Sequence, residues 1–298
     1  MILPVLSELQ EINDSLLKEK GIKLFMKRED LIHPHISGNK WRKLYYNIQA
    51  AKDQNCTSLI TFGGAYSNHI AATAFAAKEN GLKSIGLIRG EENFPLNPTL
   101  HFARENGMEL HYVSRADYRL KSTPGFLDKL KSQFGDFYLL PEGGTNELAI
   151  KGAEEILDAN NTQDYICCSV GTGGTIAGII NASNSMQQVI GFPAVKGSED
   201  LLKDVRCWIE NKCFKIINNY TLGGYAKLTE KLIQFINEFH KTQDIPLDAV
   251  YTGKMMIGIL DLVAKDYFSK GSSVLAIHTG GLQGNKGMSE RLEVKLPS

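Results

Sequence analysis

"SVGTGGTIAGI", residues 169–179, joins a buried apolar strand to an apolar helix through three closely spaced glycines. Glycines let several backbone N–H groups converge, and the first turn of the following helix adds the positive end of its dipole. Thr172 and Thr175 add two hydroxyl groups to the loop. The stretch therefore predicts a loop, Gly171 to Thr175, that cradles a phosphate dianion. A simple strand–helix turn is the alternative, although such a turn usually needs one glycine rather than three.

The same loop lacks the signatures of the common nucleotide sites. Ile176 stands where the dinucleotide-binding fingerprint has its third glycine. The sequence Gly-Lys-Ser/Thr of a Walker site is also missing from the loop. The phosphate that the glycines predict therefore belongs to another kind of ligand.

On both sides of the strand, glycine loop and helix described above, short β-rich runs alternate with helical patterns. Plausible strands cover residues 22–28, 58–62, 84–90, 108–113, 137–140, 165–170, 188–192, 213–217 and 273–279. Apolar residues or alanines at helical spacing cover residues 68–81, 146–161, 227–241 and 254–268. Strand–helix alternation predicts an α/β architecture with mostly parallel sheets. Because no long flexible linker separates these elements, any second domain is expected to be inserted rather than appended.

Composition narrows the classes of function. The chain has 298 residues, and its 33 Lys and Arg balance its 33 Asp and Glu, which gives no bulk argument for nucleic acid or a membrane surface. The first residues are too polar for a signal peptide, and no apolar run approaches the roughly 18 residues of a membrane span. Five cysteines, an odd number, favour reduced thiols and a cytoplasmic protein. No Cys/His spacing suggests a metal site, and none is predicted.

A lysine follows a turn in "HPHISGNKWRKL", residues 33–44. Lys40 comes directly after Ser-Gly-Asn and opens a helical pattern, and Lys43 follows one helical turn later. Two interpretations stay open at this point. Lys40 is either an ordinary solvated residue at a helix start or a nucleophilic amine, which burial or cationic neighbours would activate.

A second glycine turn occurs in "TFGGAYSNHIAATA", residues 61–74. A strand ends in two glycines, and Ser67 and Asn68 fit the start of an alanine-rich helix, whose free N–H groups suit a carboxylate. Ser67 and Asn68 could instead be ordinary helix caps, and His69 a helix-surface residue. Similar loops occur in "GGYAKLTEKL" (223–232), "VYTGKMMIG" (250–258) and "AIHTGGLQG" (276–284). Together with Lys40, these loops predict a site for a small anionic molecule that carries a phosphate.

The ordered set of motifs closely resembles the 1-aminocyclopropane-1-carboxylate (ACC) deaminase/D-cysteine desulfhydrase family, whose members are pyridoxal-phosphate enzymes with the tryptophan-synthase β-like fold (fold type II). The resemblance runs through "KREDLIHPHISGNKWRKL", "GGAYSNHIAATAFAAKENG", "SVGTGGTIAG", "GGYAK" and "VYTGKMMIGILDL", nearly the whole chain. It implies two open, twisted, mostly parallel sheets flanked by helices. It also implies a large cofactor-binding domain of residues 1–43 and 153–298, with a small α/β domain, 44–152, inserted between them.

The resemblance implies roles for residues that contact the cofactor. Lys40 matches the lysine that holds pyridoxal phosphate as a Schiff base. Residues matching the phosphate site are Lys43, Gly171, Thr172, Gly173, Gly174 and Thr175. Asn68 matches the partner of the pyridine 3-hydroxyl, and Thr252 falls opposite the pyridine nitrogen.

The resemblance likewise implies the residues around the substrate. Ser67, Asn68 and His69 fall where the family binds the substrate carboxylate and positions reactive groups. Tyr225 and Tyr251 match two active-site tyrosines. Together with Lys40 and Ser67, these tyrosines are the predicted catalytic residues.

Two threonines guide the choice of reaction. ACC deaminases have Glu where this chain has Thr252, and Leu where it has Thr279, so the pattern favours the desulfhydrase branch. A neutral threonine makes the cofactor a weaker electron sink than a carboxylate would, which suffices when the leaving group is good. The expected reaction is β-elimination of D-cysteine, or of a similar β-substituted amino acid, to pyruvate, ammonia and hydrogen sulfide.

Other functions stay open. One is ACC deamination to 2-oxobutanoate and ammonia, and another is elimination from a sulfonated or chlorinated alanine. A non-catalytic cofactor-binding protein and a nucleotide-dependent oxidoreductase represent other classes. The expected partner is a small amino-acid substrate, with no nucleic acid or membrane, and the resemblance favours a homodimer.

Overall fold

The computed structural model describes residues 6–195, 198–209, 214–224 and 226–297, which form two β-sheets. Within these ranges the strands are β1 Leu9–Ile12, β2 Lys23–Lys27, β3 Ser58–Gly64, β4 Lys83–Arg89, β5 Met108–Val113, β6 Tyr138–Leu140, β7 Tyr165–Val170, β8 Gln188–Pro193, β9 Phe214–Ile216 and β10 Ser273–Ile277. The larger sheet has the order β1-β2-β10-β7-β8-β9, and the smaller has the order β5-β4-β3-β6. Neighbouring strands are parallel except for β1, which is antiparallel to β2.

Helices flank both sheets. Their bounds are α1 Ser15–Lys20, α2 Asn39–Asp53, α3 Asn68–Glu79, α4 Pro98–Glu105, α5 Arg115–Tyr118, α6 Pro124–Phe134, α7 Glu147–Glu154, α8 Gly174–Ala182, α9 Ser198–Arg206, α10 Glu230–Gln243, α11 Thr252–Ala264 and α12 Gln283–Leu292. Short 3₁₀ turns cover Glu29–Leu31, Glu142–Gly144 and Asn218–Tyr220. None of the helices in the described ranges is long and apolar enough to span a membrane. The α/β class with two mostly parallel sheets is confirmed.

The predicted strands all correspond to observed ones, with small differences at their ends. Strand β9 begins at Phe214, and the predicted residue 213 lies outside the described residues. Strand β1 was not predicted, because its four residues, "LQEI", are mostly exposed or half-buried and form no apolar run. The larger sheet collects β1, β2 and β7 to β10, whereas β3 to β6 form the smaller sheet. Because the strands of the smaller sheet lie between β2 and β7 in the chain, this order resembles an inserted domain. The domain boundaries at residues 44 and 153 stay a prediction.

The central strand β7 is buried on both faces of the larger sheet. Ile166 and Cys168 pack into one apolar cluster, and Cys167 packs into the cluster on the other face. Alternate side chains of a strand point to opposite faces, which explains why this strand is an almost unbroken apolar run. Strand β7 therefore fixes the position of the glycine loop that follows it.

Helix α2 begins at a close approach between two backbone segments. Gly38 has φ of +64°, and a Cβ atom added there would lie 2.1 Å from the carbonyl oxygen of Thr279. Only glycine fits, both because its left-handed conformation is unstrained and because a side chain would strike the backbone after β10. The Ser-Gly-Asn turn thus places Lys40 beside the carboxyl end of β10.

Buried charges then fix the direction of α2. Arg42 donates two hydrogen bonds to the carboxylate of Glu29, at 2.8 and 2.9 Å, and both side chains are buried. On the opposite side of α2, a Cβ atom at Gly152 of α7 would lie 1.9 Å from the carbonyl oxygen of Arg42. The helix is therefore held from two sides, and Lys40 and Lys43 are held with it.

Candidate active site

A cavity of about 940 Å³ contains most of the predicted site residues. It lies where β3, β7 and β10 end and where helices α2 and α3 begin. The predicted residues that line it are Lys40, Lys43, Ser67, Asn68, His69, Gly171, Thr172, Gly173, Thr175, Tyr251 and Thr279. Gly174 and Thr252 are not among the lining residues, and Tyr225 lies outside the described residues. The chain segments that carried the prediction therefore meet at one place.

Lys40 is a buried amine in the first turn of α2. Its Nζ atom donates to Asn39 Oδ1 at 3.2 Å, and the residue is 8% exposed. Burial lowers the pKa of Lys40 to about 8, although the carboxylate of Asp248 opposes this shift. Because part of the population is an unprotonated amine near neutral pH, Lys40 can act as a nucleophile or a base. The alternative of a solvated surface lysine does not agree with this burial.

Lys254 shows that burial alone does not make a site lysine. Its pKa is also lowered to about 8 by burial. Its Nζ atom donates to the carbonyl oxygens of Thr221 and Gly224, at 2.8 and 2.6 Å. Lys254 does not line the cavity, and its ammonium joins two backbone segments. It is a structural lysine and a natural control for Lys40.

Lys43 contributes a buried ammonium group to the same cavity. Nζ donates to the carbonyl oxygen of Gly143 at 2.6 Å and to Thr145 Oγ1 at 2.9 Å. Burial and the neighbouring Lys40 lower its pKa well below the ordinary value. Within the described ranges no carboxylate forms an ion pair with Lys43. An anion in the cavity would supply the missing negative charge.

The loop between β7 and α8 is shaped to receive such an anion. Gly173 has φ of +84°, which turns the chain into the first residue of α8. Thr172 Oγ1 lies 2.6 Å from Thr145 Oγ1, and Asn39 Nδ2 donates to Thr175 Oγ1 at 2.8 Å. A Cβ atom at Gly174 would lie 3.1 Å from Lys43 Nζ, so a side chain there would crowd the ammonium. These groups fit the phosphate of pyridoxal phosphate.

The turn between β3 and α3 faces the glycine loop across the cavity. Ser67 caps α3, and its Oγ accepts a hydrogen bond from the N–H of Ile70 at 3.4 Å. This contact agrees with the interpretation of Ser67 as a helix cap, and the residue also lines the cavity. Asn68 follows it at the start of the helix. The positive end of α3 therefore borders the same cavity as Lys40.

His69 is a buried neutral imidazole rather than a helix-surface residue. Thr61 Oγ1 donates to the carbonyl oxygen of Leu140 at 3.0 Å and lies 2.7 Å from His69 Nε2. Nε2 must then carry the hydrogen, which leaves Nδ1 as a buried acceptor without a partner among the described residues. Burial and the positive charges of Lys40 and Lys43 lower the pKa of His69 well below its ordinary value.

Thr252 is held by Asp248 at the start of α11. The residue is fully buried in the first turn of the helix, and its hydroxyl donates to Asp248 Oδ1 at 2.7 Å. The same carboxylate accepts the N–H groups of Val250, Tyr251 and Thr252. The side chain points back toward the N-terminus of the helix, and the residue is not among those that line the cavity. The place opposite the pyridine nitrogen stays a prediction for Thr252.

The wall at the carboxyl ends of β7 and β10 presents hydroxyl groups instead. Thr279 Oγ1 lies 3.1 Å from Ser169 Oγ, and both residues line the cavity. Tyr251 also lines the cavity. Its ring lies close to Gly171, where an added Cβ atom would be 3.3 Å from the ring. Ser169 was not singled out from the sequence, although its place at the end of a buried strand was visible there.

Asp248 is the main residue that sequence reasoning missed. It is 2% exposed, and its negative charge acts on Lys40 and Lys254. "LDAVYTGK" shows an acidic residue just before a helix, which is a capping signal. Nothing in that spacing shows that the carboxylate lies near Lys40, because the two residues come from distant segments.

Comparison with known proteins identifies the family of the chain. A model of the family described as "Pyridoxal-phosphate dependent enzyme" matches residues 8–280. A putative 1-aminocyclopropane-1-carboxylate deaminase of Pyrococcus abyssi is 30% identical over 90% of this chain and 87% of its own length. The mitochondrial bifunctional D-cysteine desulfhydrase/1-aminocyclopropane-1-carboxylate deaminase of Arabidopsis thaliana is 31% identical, over 89% of this chain and 73% of its own length.

A solved structure extends the likeness to three dimensions. The crystal structure of an ACC deaminase homologue superposes with a TM-score of 0.83 and 27% identity, covering 98% of this chain and 94% of that one. The buried amine of Lys40 and the anion-binding loop are what such a cofactor requires. The resemblance drawn from the motifs is confirmed, and the chain is a pyridoxal-phosphate-dependent enzyme that belongs to the ACC deaminase/D-cysteine desulfhydrase family.

Proposed function

We propose that the enzyme catalyses β-elimination of D-cysteine, or of a similar β-substituted amino acid, to pyruvate, ammonia and hydrogen sulfide. The hydroxyl pair of Ser169 and Thr279 is the observation that carries this proposal. Among the described residues that line the cavity, the only carboxylate is Glu142, which pairs with Lys121 at 3.2 Å. Pyridoxal phosphate, when bound, supplies an electron sink for the substrate carbanion. A neutral group near its pyridine nitrogen, such as this hydroxyl pair or the predicted Thr252, would give a weaker sink than a carboxylate, and such a sink would be adequate for a good leaving group such as sulfide.

We assign the protein's own groups as follows. Lys40 carries the cofactor and, as a free amine, takes the proton from the substrate α-carbon. The phosphate is held by Lys43 and by the loop from Gly171 to Thr175. The start of α3, with Ser67, Asn68 and His69, binds the substrate carboxylate. Tyr225 and Tyr251 keep their predicted catalytic roles as part of this proposal.

Deamination of ACC is the second candidate, favoured by the names of the relatives from Pyrococcus abyssi and Arabidopsis thaliana. The same Lys40 and the same carboxylate subsite would serve both reactions. Ring opening has no departing group, however, so it depends more on a strong electron sink. The hydroxyl pair therefore favours elimination over deamination.

A substrate panel tests this choice. We expect kcat/KM for D-cysteine to exceed that for ACC by about tenfold or more, since tenfold corresponds to a modest difference of about 1.4 kcal/mol in transition-state binding. Thr279→Leu should shift the ratio toward ACC, because it introduces the residue that the resemblance associates with deaminases and reshapes this wall of the cavity. Sulfide, pyruvate and 2-oxobutanoate are measured side by side with D-cysteine, L-cysteine and ACC. Efficient turnover of ACC without sulfide release from D-cysteine would show that the proposal is wrong.

Binding of the phosphate is tested by a pair of glycine replacements. Gly174→Ala should weaken pyridoxal-phosphate affinity roughly tenfold, because the new methyl group would crowd Thr145 and Lys43 and overpacking costs about 1–3 kcal/mol. Gly284 lines the cavity and has open space around it, so Gly284→Ala is the control. Equal affinities of both variants, measured by titration of the cofactor-free protein, would contradict the assignment.

We also propose that the protein is a homodimer in the cytoplasm. We further propose that the chain is divided into a large domain, 1–43 and 153–298, and a small domain, 44–152. The two separate sheets support the division. Light scattering tests the oligomeric state, and limited proteolysis near residues 44 and 153 tests the boundaries.

A further inference from the structure

Residues 278–281, which follow β10, form part of the active-site wall. The carbonyl oxygen of Thr279 accepts a hydrogen bond from the N–H of Asn39 at 3.2 Å, so this segment is joined to the first residue of α2. Gly280 and Gly281 have φ of +77° and +94°, and neither residue has a side chain that could hold the backbone in place. The position of the Thr279 hydroxyl therefore depends on contacts that other groups make with this segment.

His278 provides such a contact from the interior of the protein, where it is fully buried. The N–H of Gly280 donates to His278 Nδ1 at 3.2 Å, and His278 Nε2 lies 2.7 Å from the carbonyl oxygen of Pro246. Because a carbonyl oxygen can only accept, Nε2 carries the hydrogen and Nδ1 is the acceptor. The imidazole is therefore neutral, and it joins residues 278–281 to the segment that precedes α11.

A carboxylate lies near His278 without replacing the contact to Gly280. Asp30 Oδ1 is 3.6 Å from Nδ1, which is too long for a hydrogen bond. Arg28 donates to both carboxylate oxygens of Asp30, at 2.8 to 3.3 Å. The charge of Asp30 is thus balanced without a proton on Nδ1, which agrees with a neutral imidazole that accepts from Gly280.

The segment held by His278 also borders the start of α3. A Cβ atom at Gly281 would lie 3.2 Å from Asp248 Cγ and 3.5 Å from Asn68 Nδ2, so Gly281 fits closely beside these two side chains. Gly280 links Gly281 to the wall that carries the hydroxyl pair. A displacement of Gly280 would therefore disturb that wall and the surroundings of Asn68 together.

We propose that His278 is a positioning residue for the reaction, and that it acts through the hydrogen bond from the Gly280 N–H to Nδ1. His278 is not among the described residues that line the active-site cavity, so this role needs no contact with substrate or cofactor. By holding Gly280, the imidazole fixes the hydroxyl of Thr279 relative to the turn that carries Lys40. This inference rests on the proposed function, because that proposal assigns the hydroxyl pair to the surroundings of the cofactor.

Two amide replacements separate the two contacts of the imidazole. In His278→Asn the side-chain oxygen lies near the place of Nδ1 and can accept from Gly280, but the side chain is too short to reach Pro246. In His278→Gln the side-chain nitrogen takes the place of Nε2 and can donate to Pro246, but the acceptor for Gly280 is lost. Both variants lose the ring and one hydrogen bond, so a purely structural role would give them similar effects.

Initial rates of the cofactor-loaded enzymes should distinguish these variants. We expect His278→Gln to lower kcat/KM for D-cysteine about tenfold, as the loss of one hydrogen bond allows, and His278→Asn to stay within about threefold of the wild type. His240 is a half-buried histidine of α10 that does not line the active-site cavity. His240→Gln is therefore the control and should leave kcat/KM unchanged.

Two further measurements follow the contact itself and need no turnover. Amide hydrogen exchange at Gly280 should be about tenfold faster in His278→Gln than in the wild type, and close to the wild-type rate in His278→Asn. Nitrogen NMR of the wild-type imidazole should show the hydrogen on Nε2 and none on Nδ1. The NMR measurement requires no variant, so it also decides if a replacement prevents folding.

Three outcomes would overturn the role of His278. They are an equal loss of kcat/KM in both variants, faster exchange at Gly280 in His278→Gln without a loss of kcat/KM, and a hydrogen on Nδ1 in the wild type. Absence of pyruvate from D-cysteine with the wild type would instead contradict the proposed elimination. The same variants would then be compared by the release of 2-oxobutanoate from ACC, with the same order of activities expected.

Discussion

Replacing Lys40 with alanine is expected to abolish covalent attachment of pyridoxal phosphate and to lower kcat/KM by about 10³-fold or more. The replacement removes both the nucleophile for the cofactor and the proposed base, and a positioned base alone contributes about 10²–10⁴-fold. The fold should be retained, because alanine is a good helix former in the first turn of α2. Visible absorbance of the purified protein and borohydride reduction followed by peptide mapping measure the loss.

Lys254 provides the control for this experiment. It is buried like Lys40, and its pKa is also lowered to about 8, but its ammonium is bound by two backbone carbonyl groups. Borohydride reduction of Lys254→Met should therefore still fix the cofactor on the peptide that contains Lys40. Recovery of the reduced cofactor on Lys43 or Lys254 of the wild type would contradict the assignment of Lys40.

The pH dependence of cofactor attachment gives a second measurement on the same residue. Burial lowers the pKa of Lys40 to about 8, so the reactive unprotonated fraction grows as pH rises toward that value. The rate of attachment to the cofactor-free protein should increase with pH and level off above about 8. A lysine with the ordinary pKa of about 10.4 would give a rate that continues to rise well beyond this point.

The place of Lys40 in the fold could be anticipated from local sequence. Glycine at position 38 permits a left-handed turn and a close backbone contact, and the helix that follows must begin near Lys40. The loop from Gly171 to Thr175 could also be predicted from the local sequence, since glycines after a buried strand determine where N–H groups converge. Both features depend on backbone conformation within a few residues, which is why a pattern of residue types was sufficient.

Contacts between distant segments could not be predicted from the local sequence. Helix α11 begins at Thr252, two residues before the predicted helix, and the contact of its side chain with Asp248 depends on this start and not on spacing alone. The local sequence left open whether His69 lies on the helix surface or at the substrate site, and its burial beside Thr61 depends on contacts between α3 and β3. Arg89, Arg115 and Arg291 line the same cavity although they belong to β4, α5 and α12, and no spacing in the sequence indicates that these elements meet.

Glu29→Gln is expected to cause the largest loss of stability, a decrease of about 3–5 kcal/mol in the free energy of unfolding. Glu29 is fully buried, and its carboxylate accepts two hydrogen bonds from Arg42 and one from Ser7. Glutamine has nearly the same shape but no charge, so the guanidinium of Arg42 would remain buried with only the more distant carboxylate of Glu155, at 3.9 Å, as a counter-ion. Urea unfolding of the cofactor-free protein measures the change.

An exposed ion pair serves as the comparison for this buried one. Lys20 and Asp266 lie 2.7 Å apart, but the side chain of Asp266 is 73% exposed. Asp266→Asn should therefore cost about 1 kcal/mol or less, and asparagine tolerates the left-handed backbone at this position, where φ is +55°. Similar small losses in both variants would mean that water or a shift of Arg42 compensates for the missing charge.

A second replacement separates the buried charge from the lost contacts. If the uncompensated charge of Arg42 causes the loss, then Glu29→Leu combined with Arg42→Met should recover much of the stability, because apolar groups can replace a buried ion pair at little cost. If the loss of stability comes instead from the missing hydrogen bonds that orient α2, the double variant should remain as unstable as Glu29→Gln. In that case its affinity for pyridoxal phosphate should also fall, because Arg42 lies on the same helix as Lys40 and Lys43. Measuring both quantities on both variants therefore shows whether the buried pair acts on the fold alone or also on the position of Lys40.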